Sequence, residues 1–297
     1  MRTKNKIKRS PLDICFDTIN TLLLFAIAVC MLYPMLYVVF ASFSDPMEFA
    51  KHKGLLLGSV GFSVKSYVSA LENPMILTGY GNTLFVLVVG VILNLLLTSC
   101  GAYFLTRQDV KLQKAISIFI IITMFFSGGM IPLYFVVSGL GLIDSRWSMI
   151  LPTLVNTFNL MILRVSFAAV PAALEESAKL DGAGHLVTLF RIVLPVSKAT
   201  LAVVALYYAV GHWNGWFNAM LFLNERELYP LQLILREILI SSDTSSMTMN
   251  AAASELEFVG ETIKYAIIVI STVPILCVYP FVQKYFTKGA MVGAVKG

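Results

Sequence analysis

The chain has 297 residues, of which 58% are hydrophobic and only 13% charged, with a formal net charge of +5. A soluble domain averages about 45–50% apolar and about 25% charged residues, so the apolar surface here exceeds what a water-soluble core could cover. Lipid is the solvent this composition calls for. The basic residues fall between apolar blocks rather than on one soluble face, which argues against a nucleic-acid partner. Cys15, Cys30, Cys100 and Cys277 lie in or beside apolar blocks with no CxxC and no His/Cys cluster. They read as small packing residues, without metal or disulfide.

The first apolar block follows a basic tail (Arg2, Lys4, Lys6, Lys8, Arg9) but runs on from Leu22 to Ala41. That is too long for the core of a signal peptide, and no small-residue cleavage site follows, so it is expected to be a retained helix. A membrane crossing needs about 20 mostly apolar residues. On that basis six spans are expected, at 14–40, 82–105, 115–137, 147–163, 200–222 and 264–286. The fourth is interrupted by Pro152, Thr153, Asn156, Thr157 and Asn159.

Cytoplasmic loops carry the excess of Lys and Arg. With the N-terminus inside, fifteen basic residues face the cytoplasm and seven the outside; the opposite orientation inverts the ratio. Both termini are therefore expected in the cytoplasm. Segments 42–80 and 223–261 become large outer segments and 164–197 a long inner loop. No internal repeat or linker is visible, and 1–297 reads as a single domain. Outside, eleven acidic residues stand against the seven basic ones, a balance that favours a neutral over a polyanionic solute.

The inner loop carries the most information. Pro171 suits a first helical turn, Glu175 and Glu176 sit near the positive end of the helix dipole, and 172–180 is a good short helix former. Asp181-Gly182 ends that helix, and a second short helix runs to Leu194, with Pro195 at the start of span five. The expected form is a helix–turn–helix at the inner membrane surface. Small residues (Ser177, Ala178, Gly182, Ala183, Gly184) sit at its bend, and Leu174, Leu180, Leu186, Val187 and Phe190 are expected to anchor it to the membrane domain.

Glu176-Ser-Ala-x-x-Asp181-Gly182-Ala183, followed by Ile192-x-Leu194-Pro195, resembles the EAA loop of ABC importer permeases, with Ser177 in place of the first alanine. The whole chain is similar to the maltose-type sugar permeases, nearest their shorter six-helix subunit in the branch importing complex oligosaccharides. Phe62-Ser-Val-Lys-Ser-Tyr67, Trp213-Asn214 and the tail from Lys288 to Gly297 share in the likeness. The resemblance implies an all-α, polytopic type I ABC importer permease fold in the bacterial cytoplasmic membrane. It implies a loop that docks on a cytoplasmic ATPase through Glu175, Glu176, Ser177, Ala178, Asp181, Gly182, Ala183 and Gly184. It further implies a second, different permease subunit, an ATPase dimer holding ATP and Mg, and an extracellular or periplasmic solute-binding protein. The tail would reach toward the ATPase and part of 223–261 toward the binding protein.

Polar and aromatic residues on spans two and five leave two readings open. Asn82, Asn94, Tyr208, Trp213, Asn214 and Asn218 are candidates to line a sugar path, since amides serve hydroxyls as both donors and acceptors. They equally suit helix-to-helix hydrogen bonding and an interfacial aromatic belt. No GxxxxGK[ST], HExxH or GxSxG occurs, so ATP-phosphate binding and hydrolase chemistry lack their usual apparatus and the chain is not expected to be an enzyme or to hold a cofactor. A secondary transporter would need intramembrane carboxylates or inverted repeats, and the span interiors have neither. ABC importers of other solute classes share the loop and remain the rival reading.

Overall fold

The computed structural model describes residues 10–107, 109–247 and 255–294. The basic tail at 1–9, the middle of the second outer segment and the last three residues of the tail lie outside the described residues. Among the described residues the elements are helices, joined by short turns and one isolated antiparallel bridge between Ser44 and Phe62. The chain divides into two compact units, 1–70 with 242–270 and 71–241 with 271–297.

The first unit begins with α1 (Pro11–Ser42), whose start is fixed by local chemistry. Ser10 and Asp13 form a reciprocal capping box, the Asp13 carboxylate accepting from Ser10 N at 3.0 Å, and Pro11 fills the first turn. Within α1 the apolar side chains from Leu12 to Val29 are largely exposed, as a wall facing lipid would be. Beyond it, α2 (Pro46–Lys51) is capped by Asp45, and α3 (Lys65–Glu72) follows. Tyr37, Phe49 and Tyr265 meet edge-to-face, with Ala41 and Leu56 buried beside them. Side-chain hydroxyls tie the loops down: Tyr33 accepts from Leu56 N, Ser44 accepts from Val60 N, and Ser66 shares a 2.8 Å hydrogen bond with Thr262. Residues 43–70 are therefore folded rather than an open loop.

The second unit is organised around α4 (Pro74–Thr106), a helix begun by an Asn73 cap and Pro74. Against it pack α8 (Thr157–Ala168) and α12 (Lys198–Trp213). Their shared core holds Ala102, Tyr103, Leu105, Leu160, Leu163, Phe167, Leu189, Val193, Val204 and Tyr208.

The expected third span is not one straight helix. It divides into α5 (Gln113–Phe125) and α6 (Met130–Gly139), which meet at 116°. Gly129 has φ +87, a value a continuing right-handed helix excludes, so the break falls at Gly128-Gly129. The fourth breaks where its polar residues predict. α7 (Trp147–Ile150) and a 3₁₀ turn, Leu151–Thr153, lead into α8 at 51°. The fifth ends at Trp213, and α13 (Trp216–Phe222) follows a turn at Asn214-Gly215. A 3₁₀ turn (Arg226–Leu228), α14 (Leu231–Met247) and α15 (Glu255–Ala294) complete the described chain.

Among the described residues, α1 and α4 are each long and apolar enough to cross a membrane unbroken. Three bent pairs meet the same test as pairs, and 262–278 is a shorter apolar stretch within α15.

Candidate functional site: a braced hairpin and a polar cavity

The inner-loop hairpin forms as a helix, a glycine turn and a second helix. α9 (Ala172–Leu180) opens behind Pro171 and ends in a Schellman motif. Ala183 N donates to Ala178 O at 2.8 Å, Gly182 N donates to Lys179 O at 3.0 Å, and Gly182 takes φ +81. A left-handed residue with a Cβ costs about 1–2 kcal/mol, so glycine is what the turn needs. α10 (His185–Thr188) then passes through a π turn, Leu189–Val193, into α11 (Leu194–Val196). Pro195 has no N–H for the Arg191 carbonyl, a local cause for the loosened ladder. The helical run 185–196 meets α12 at 89°, so the hairpin lies across the end of the bundle.

The hairpin is braced from α4. Arg107, at that helix's C-terminal cap, forks onto Glu175: Nη2 donates to Oε1 at 2.8 Å and Nη1 to Oε2. The guanidinium also lies 4.3 Å over the Tyr103 ring and donates to Thr106 Oγ1. Both side chains of the pair are mostly covered, 14% and 13% exposed. The Arg107 hydrogen bonds hold the Glu175 carboxyl below its usual range, and the same bonds raise Arg107. Ala178, Thr188, Leu189 and Val193 are buried behind the hairpin.

The expected apolar anchors are a correction. Leu174, Leu180, Leu186, Val187 and Phe190 are 43%, 89%, 67%, 43% and 45% exposed. Side chains left this exposed do not anchor the hairpin to the rest of the chain. Glu176, Ser177, Asp181, Gly182 and Gly184 are exposed with them, Ala183 is partly covered, Glu175 belongs to the brace and Ala178 is buried.

The polar residues of α4 form a second constellation. Asn94 Nδ2 donates to the Thr153 and Leu154 carbonyls at 2.7 and 2.8 Å, groups freed where the fourth span breaks between Thr153 and Thr157. Its Oδ1 lies 2.7 Å from His212 Nε2. Because that oxygen can only accept, Nε2 carries the proton. Tyr208 Oη accepts from Asn156 N at 2.9 Å and shares a 2.7 Å hydrogen bond with Thr98. Gly90 makes room for the imidazole: a Cβ there would sit 2.5 Å from His212 Nε2. Farther along, Asn82 donates to the Glu227 and Tyr229 carbonyls and Thr83 accepts from Leu231 N. In hydrocarbon, irregular backbone persists only where other groups satisfy it; α4 supplies those groups.

Beside this network lies a cavity of about 310 Å3, its polar lining including Asn156, Asn159, Tyr207, Tyr208, His212 and Asn218. Among the described residues, no carboxylate, Lys or Arg lines it. Of the residues expected on a sugar path, Tyr208 and Asn218 reach this cavity. Asn82 and Asn94 are buried in hydrogen bonds, Asn214 turns back to the Val210 carbonyl, and Trp213 is buried against Tyr80, its Nε1 unpaired among the described residues. Sequence reading passed over Asn156 and Asn159 as mere interruptions and missed the Arg107–Glu175 brace. A half-polar apolar block gives a signal for the first; a pair 68 residues apart gives none.

Long bent helices around α4, a hairpin folded across one end of the bundle and a neutral polar cavity define a membrane transport subunit. No family model matches the chain. It is 42% identical over 276 residues to the polygalacturonan/rhamnogalacturonan transport system permease protein YtcP of Bacillus subtilis (strain 168), covering 93% of this chain and 96% of that one. A crystal structure of a bacterial ABC transporter involved in the import of the acidic polysaccharide alginate superposes with a TM-score of 0.85 at 32% identity. The match covers 95% of this chain and 100% of that one. A bacterial alginate ABC transporter in complex with an alginate pentasaccharide-bound periplasmic protein shares the fold alone, at a TM-score of 0.58, 16% identity and coverage of 93% and 96%. The chain belongs to the family of ABC sugar-transport permeases. It is a membrane protein and, as a permease subunit, not itself an enzyme.

Proposed function

We propose that the whole chain, 1–297, is one permease domain of a binding-protein-dependent importer that passes an oligosaccharide into a bacterial cytoplasm. In this reading it crosses the membrane six times with both termini inside. It pairs with a second, different permease and receives sugar from a solute-binding protein outside. A cytoplasmic ATPase dimer binds ATP and Mg; this chain holds no cofactor. The observation that carries the reading is the hairpin, whose Glu175 is held by Arg107 at the end of α4 while Glu176, Ser177, Gly182 and several apolar side chains stand exposed. An exposed apolar patch beside small residues is what a docking partner needs.

Sugar passage is supported by the neutral polar cavity, whose amides and phenols match hydroxyl groups. The relatives named for polygalacturonan and alginate handle acidic polymers, so the outer charge balance gains no support as a guide to a neutral substrate. The test is uptake together with co-purification of the ATPase. Glu176→Lys is expected to abolish uptake and weaken ATPase retention while the permease still inserts. Full uptake by that variant would count decisively against docking at this face.

A further inference from the structure

A second cavity, of about 700 Å3, opens where the ends of α4, α5 and α8 meet, with Leu105, Thr106, Gln113, Lys114, Arg164 and Ala168 in its wall. We propose that it binds the phosphodiester headgroup of an anionic phospholipid, with Arg164 and Lys114 as its cationic contacts. Among the described residues that line it there is no carboxylate; Glu175 is held by Arg107, and Asp109, next to Val110 in the chain, also acts on Arg107. Arg164 is half-buried on α8. Among the described residues, its one contact at hydrogen-bonding range is the Met161 thioether at 3.9 Å. A planar guanidinium with nearly all its donors unused, facing a cavity that also holds an ammonium, selects a phosphate.

The rest of the wall argues for a lipid rather than a free ion. Leu105, Val110, Leu112 and Ala168 make half of it apolar, and Leu112 stands 74% exposed at its rim. From that rim α5 presents Ile118, Phe119 and Ile122, exposed by 59%, 68% and 47%, a continuous apolar face for acyl chains. Basic pockets at the ends of spanning helices are sites where anionic headgroups bind. Placing the cavity at the inner leaflet rests on the topology proposed above; binding itself does not, because its readout needs no transport.

The assay is native mass spectrometry of the full chain, purified in detergent and titrated with phosphatidylglycerol or phosphatidylcholine. Wild type is expected to retain one phosphatidylglycerol through delipidation, and phosphatidylcholine weakly. Arg164→Gln with Lys114→Gln is expected to weaken that retention about thirtyfold, whereas Arg164→Lys keeps most of it. Should the double variant fail to fold, Lys114→Gln alone, at an exposed position, is expected to lose about fivefold. Inorganic phosphate at millimolar concentration is expected to leave the lipid bound. Equal retention by wild type and the charge-removing variants would overturn the site, and displacement by phosphate would overturn its assignment to lipid.

Discussion

Arg107→Ala tests the hairpin brace. It removes both hydrogen bonds to Glu175 and the contact with the Tyr103 ring, leaving a carboxylate only 13% exposed with its main partner gone. Breaking a fully buried pair from one side costs about 3–5 kcal/mol, while an exposed pair contributes about 0–1 kcal/mol. This pair lies nearer the first case, so about 2–3 kcal/mol is expected, the lost cation–π contact included. That energy joins the hairpin to α4 rather than stabilising either helix alone. The loss should therefore appear as local opening of the hairpin, by about 30- to 150-fold. Hydrogen exchange on the permease in nanodiscs reads this directly: amides of 175–188 should lose protection by that factor while the middle of α4 is unchanged. Glu175→Ala should reproduce the effect, and the double variant should add little to either single one. Strictly additive losses, or unchanged hairpin exchange in Arg107→Ala, would refute the brace.

The pair also fixes a pH dependence. Because Glu175 is lowered in the fold, its contribution is complete above the unfolded value of about 4.3 and is lost as pH falls through the folded one. The stability gap between wild type and Arg107→Ala should thus be constant from pH 5 to 8 and close below pH 4 in thermal melts. Gly182→Val should cost about 1–2 kcal/mol of hairpin stability, and Gly182→Asn clearly less, since asparagine tolerates the left-handed region; hydrogen exchange of 178–184 separates them. Gly90→Ala forces a methyl against His212 and should cost about 1–3 kcal/mol in unfolding assays. Asn94→Leu leaves the Thr153 and Leu154 carbonyls unpaired. It should destabilise by about 1–3 kcal/mol per lost partner, measured by denaturation in detergent.

The hairpin was legible because its signals are local: Pro171 opens α9, Gly182 closes it, and the bounds 172–180 follow from propensity between them. The break in the fourth span was legible from Pro152 and its polar neighbours for the same reason. The bend in the third span was not. Gly128-Gly129 sits inside an apolar run whose hydropathy is the same for a straight and a folded-back helix, and hydropathy was the criterion. The direction of the hairpin's leucines was misread on similar grounds. Apolar character says that Leu180 and Leu186 want cover, but not whether this chain or another supplies it. The polar residues of α4 were seen, yet their partners are backbone carbonyls at distant breaks, which exist only once the breaks have formed.

The most direct test of coupling places a photo-crosslinking amino acid at position 180, the most exposed apolar side chain of the hairpin. A control position, 96, is exposed on α4, ten residues before the helix ends. In membranes carrying the whole importer, illumination should join position 180 to the ATPase subunit and position 96 to no ATPase. An importer that takes up sugar yet gives no ATPase adduct from 180, nor from 186 beside it, would contradict the assignment of this hairpin as the site where ATP hydrolysis is coupled to transport.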